Sequence, residues 1–78
     1  MPTAARAGPY RLFFYSGDRS EPEHVHVERD SLVAKFWLAP VELAWNRGFN
    51  QSELRRIHAI IATRQTALPE KWHGYFRE

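Results

Sequence analysis

A chain of 78 residues, 44% hydrophobic and 14% aromatic, is too short for two cores and too apolar to stay disordered, which leaves one folded domain. The absence of cysteine excludes disulfides, thiolate zinc centres and cysteine nucleophiles together, and fits a reducing, cytoplasmic compartment. A formal net charge of +2 sets no field that by itself implies nucleic acid, and no apolar run approaches the roughly 18 to 20 residues a membrane span requires.

Residues 1–9 hold two prolines, three alanines, a glycine and one arginine, and read as a flexible lead-in rather than a signal peptide. Residues 10–78 then make a single α+β domain. Tyr10 to Ser16 is aromatic, follows Gly-Pro punctuation and lacks a helical stripe, so it reads as a strand. The polar run Gly17 to Glu23 is a connection. His24 to Arg29 alternates with the period of a half-buried strand: Val25 and Val27 point inward, His24, His26 and Glu28 outward to an accessible face. Asp30 and Ser31 turn the chain into Leu32 to Leu38, whose better core face is Leu32, Ala34, Phe36 and Leu38; Val33, Lys35 and Trp37 share the other.

Pro40 interrupts, and Val41 to Ala44 reads as a short edge strand before a loop of Trp45, Asn46, Arg47 and Gly48. The expected sheet thus has three to four antiparallel strands over about residues 10–44. Asn50-Gln51-Ser52-Glu53 has the form of a capping box, with Asn50 accepting from first-turn amides and Glu53 reaching back. A helix over about 51–67 follows, with Leu54, Ile57, Ile60, Ile61 and Leu68 as its apolar stripe. Pro69 disfavours helical geometry at Leu68, so a short last helix is expected over about 69–77, with Trp72, Tyr75 and Phe76 facing the core.

Three constellations could carry chemistry. His24, His26 and Glu28 form one row of ligand types suited to a divalent metal, to be completed by water or, by residue type alone, by Asp18, Glu21 or His73. No motif requires any other cofactor. The same two histidines could act as acid and base on RNA or another phosphate ester, with Arg11, Arg19 or Arg29 steadying the charge. Against both stands a solvent-facing row whose imidazoles bond to nearby backbone. Arg55 and Arg56, with His58 and Arg64, could lay a basic stripe against nucleic acid, or simply be solvated partners for Glu53 and Glu70. Trp37, Trp45 and Phe49 suit a protein interface, although a domain this small also needs aromatics in its core. A glycine-rich phosphate loop and a serine nucleophile elbow are both missing from the sequence.

The run Glu21-Pro22-Glu23-His24-Val25-His26-Val27 resembles the Pro-His-x-His-Val core of a family of small bacterial proteins, domain of unknown function (DUF) 4160. Phe13-Phe14-Tyr15-Ser16, Val33 to Leu38, Gly48-Phe49, Glu53-Leu54, Ile57 and Trp72 to Phe76 extend the likeness over nearly all of the chain after Pro9. Glu23 departs from a second proline usual in the family, and Pro69 from a leucine within a helical run. The resemblance implies a cytoplasmic protein often encoded beside another small protein, as toxin–antitoxin pairs are, and therefore a cognate small protein as partner. Three functions are weighed: a protein-binding component of such a module, an RNA or phosphate-ester cleaving enzyme using His24 and His26, and a nucleic-acid-binding regulator. The first leads, which leans away from an enzyme. A homo-oligomer is compatible with each, since a domain of this size gains from added buried surface.

Overall fold

The computed structural model describes residues 3–76. The fold is α+β, with one antiparallel sheet of five strands in chain order: β1 (Thr3–Ala7), β2 (Tyr10–Phe13), β3 (His24–Arg29), β4 (Leu32–Leu38) and β5 (Val41–Arg47). A short 3-10 helix, Ser16–Ser20, lies between β2 and β3, and two helices follow the sheet, α1 (Gln51–Ala62) and α2 (Ala67–Phe76). Among the described residues no helix is long and apolar enough to cross a membrane.

The expected three to four strands become five because β1 lies in the stretch read as lead-in. Thr-Ala-Ala-Arg-Ala has little strand propensity. Its strand state comes from tertiary context: Gly8 at φ +58° turns the chain back onto β2, Ala4 is buried, and the Lys71 ammonium on α2 donates to the Ala4 carbonyl at 2.7 Å. β5 is also longer than the Val41 to Ala44 expected. A bulge opposite Lys35 and Phe36 lets pairing resume, so that Trp45, Asn46 and Arg47 oppose Lys35, Ala34 and Val33.

The core lies between one sheet face and the helices. Leu12, Val25, Val27, Ala34, Phe36 and Leu38 project from the sheet onto Leu54, Ile57 and Ile61 of α1 and Leu68 of α2. Leu32, expected with them, is only half-buried. It packs at the rim against Gly48, whose φ of +102° is a left-handed geometry suited to glycine and where an added Cβ would stand 2.5 Å from Leu32 Cδ2. The Asn46 amide bonds both the amide and the carbonyl of Phe49, which seats that ring in the core just before α1.

Asn50 caps α1 as expected, its Oδ1 accepting from the Glu53 amide at 2.8 Å, a contact worth about 1 kcal/mol over alanine. The helix ends at Ala62 rather than near 67, with Thr63 as its C-cap. Leu68 therefore belongs to α2. Pro69 sits within the first turn of α2, where the amide it lacks would have no intrahelical partner.

Candidate functional site

Antiparallel pairing fixes what lies on the sheet face away from α1. His26 opposes Phe13 on β2 and Lys35 on β4, and Lys35 opposes Trp45 on β5, so one row crosses four strands. His24 opposes Trp37, and Arg11 opposes Glu28. Alternation had implied an accessible face for these histidines, and here the structure differs: His24 is 0% and His26 4% exposed.

The cover comes from outside the strand. Tyr15 stands edge-on to His26 at 4.5 Å between ring centroids, and Phe13 stacks on it at 5.4 Å. Trp72 of α2 reaches His24 at 4.9 Å, and Trp37 stands edge-on to it at 5.6 Å. His24 Nδ1 donates to the Pro22 carbonyl at 2.8 Å. A carbonyl only accepts, so this contact puts the proton on Nδ1. The imidazoles thus serve as ring-packed members of a second, aromatic layer, held as core residues are.

Nor does the ligand row assemble. Glu28 turns to Arg11, in a direct ion pair, and Glu21 bonds the nearly buried Lys35 ammonium. His73 pairs with Glu23, while the Asp18 side chain lies outside the described residues. Among the described residues no three His, Asp or Glu side chains gather closely enough to hold a metal ion.

Arg55 and Arg56 are both exposed and have different neighbours. Arg55 lines a groove of about 180 Å³ with Phe36, Leu43, Leu54 and His58, whereas Arg56 lies near Tyr10, where it lowers the phenol pKa against the larger effect of burial. Arg29, weighed as a phosphate contact, is engaged with Glu53: its Nε and Nη2 donate to Glu53 Oε2 and Oε1 at 2.6 and 2.9 Å. Tyr10 donates its hydroxyl to the same carboxylate at 2.7 Å. Glu53, expected to reach back to its own cap, instead ties α1 to β2 and β3. Nothing in local spacing marks this contact, because its partners lie 24 and 43 residues away.

Hydrogen bonds first from Arg29 and then from Tyr10 hold the Glu53 carboxyl below its ordinary value of 4.5. A depressed carboxyl stabilises the fold fully above that ordinary value and loses its contribution as pH falls through the native one. Melting temperature measured against pH is therefore expected to fall on acidification below about pH 4.5, and Glu53→Gln is expected to lower the neutral melting temperature and flatten that acid limb. Parallel acid limbs in the two proteins would remove Glu53 from the linkage.

An open cleft of about 580 Å³ lies at one end of the sheet, lined by Trp37 of β4, Trp72 and His73 of α2, Pro22 and Pro40, and three glutamates, Glu21, Glu23 and Glu42. Trp37 is half-buried and Trp45, farther along the same face, 40% exposed. Indole walls beside carboxylates suit a cationic or amphipathic side chain, attracted by both the ring faces and the acids. Sequence reasoning had identified Trp37 and Trp45 but not the cleft, since it is built where α2 folds back over the loop before β3.

A family model described as "Domain of unknown function (DUF4160)" matches residues 10–73. No curated protein and no solved structure matches the chain.

Proposed function

The chain belongs to the DUF4160 family, a domain of unknown function, and from that premise we propose that it is the protein-binding component of a two-protein, toxin–antitoxin-like module. The small partner docks at the cleft beside Trp37 and extends toward Trp45. The observation that carries this reading is the cleft itself, of about 580 Å³, whose walls are two tryptophans and whose polar groups are mainly glutamates. Buried tryptophan-lined pockets of this kind are where protein interfaces concentrate their binding energy. Of the lining glutamates, Glu21 is engaged by Lys35 and Glu23 by His73, so the indole faces carry most of the recognition, and charge sets encounter rate and partner choice more than affinity.

Burial of both imidazoles supports this reading over the cleaving enzyme, because a phosphate ester cannot approach His24 or His26 without displacing Trp72 or Tyr15. The test is co-expression of the full chain with the product of the adjacent reading frame, one of them tagged. Co-purification is expected, along with its loss in Trp37→Ala and Trp45→Ala chains whose circular dichroism matches the parent. A chain that captures nothing from that pair, and is harmless alone and with its neighbour, overturns the proposal.

A further inference from the structure

Each outer strand of the sheet meets one helix: α2 packs against β1 and bonds it through Lys71, and α1 packs against β5, where His58 Nε2 donates to the Val41 carbonyl at 3.1 Å. β5 is the other end of the sheet order, and five of its seven residues are exposed, with Leu43 at 41% and Trp45 at 40%. A seven-residue strand with large apolar side chains and no proline is an edge that natural proteins ordinarily cover, shorten or charge.

The charges on β5 are placed to attract rather than repel a copy of the same strand. Glu42 opposes Trp37 and Arg47 opposes Val33. Those β4 residues are four apart and so share a face, whereas Glu42 and Arg47 are five apart and in a regular strand would point to opposite faces. The bulge between Leu43 and Trp45 absorbs the odd residue and brings both charges to one face.

We propose that β5 pairs antiparallel with β5 of a second copy, in the register that sets Glu42 opposite Arg47 of the partner, so that two sheets join into one. A two-fold axis between Ala44 and Trp45 generates two such ion pairs, and faces Leu43 with the copy's Asn46 on the opposite side of the sheet. A two-fold axis perpendicular to a regular antiparallel pair forbids this odd offset, because it would match residues of opposite faces; the bulge in each copy permits it. The contact is isologous and closes on itself, and with β1 covered by α2 the assembly stops at a dimer.

The full chain, 9.2 kDa as a monomer, is examined by sedimentation over a concentration series. A species of twice that mass is expected. Glu42→Arg sets Arg opposite Arg at both pairs, Arg47→Glu sets Glu opposite Glu, and each single variant is expected to dimerise at least about tenfold more weakly. Mixing the two single variants restores both pairs and is expected to give a heterodimer, and the double swap Glu42→Arg, Arg47→Glu to give a homodimer again. Recovery on mixing also shows that the single variants fold. A parent chain that stays monomeric throughout overturns the proposal, as does a dimer that both single variants retain at parental strength.

Discussion

Truncating Phe36, Ile57 or Ile61 to alanine is expected to destabilise the protein by roughly 2 to 5 kcal/mol in each case. Phe36 is 1%, Ile57 1% and Ile61 0% exposed, so each loses its whole transfer free energy and leaves a cavity behind. Phe36 stands between Val25 on β3 and Leu43 on β5. Ile57 and Ile61, one turn apart on α1, close over the same layer. Small domains have about 5 to 15 kcal/mol in all, with a chain of this length toward the low end. Any of the three variants should therefore melt well below the parent, and parental denaturant midpoints would mean that α1 does not pack on this face.

A comparably large loss is expected at the histidines. His24→Ala with His26→Ala should abolish cooperative melting, since it removes two rings from a layer that also holds Phe13, Tyr15, Trp37 and Trp72, and deletes the bond from His24 to the Pro22 carbonyl. Each truncation belongs with other large-to-small core changes, which cost about 2 to 5 kcal/mol. His26→Phe separates shape from chemistry. Its neighbours are mostly aromatic, so a ring without nitrogen should keep most of the stability that alanine loses. If the double alanine variant melts like the parent, the second face is not a core.

Local pattern revealed those elements whose cause is local. The alternation in His24 to Arg29, the Asp30-Ser31 turn, the strand Leu32 to Leu38 and the Asn50 cap all stand as read, because each follows from side-chain period or from a bond between near neighbours. What escaped depends on distant residues. β1 has no strand-forming sequence and is held by α2; β5 runs on through Trp45 because a bulge corrects its register; Glu53 serves Arg29 and Tyr10 instead of its own helix. The histidine face was misjudged for the same reason. A period of two says that two faces differ, but whether the second meets water depends on what folds over it, here Tyr15 and Trp72.

The strand order equals the chain order, and this shapes how the protein can fold as well as what it looks like. Every strand finds its neighbour next to it in sequence, so the sheet can zip from hairpin to hairpin, the longest connection to close being the one from Phe13 to His24. The seal on β1 is the exception: Lys71 and Ala4 are 67 residues apart. Until α2 arrives, a nascent sheet exposes two raw edges instead of one, and that interval is when the chain is most prone to join strands with the wrong molecule.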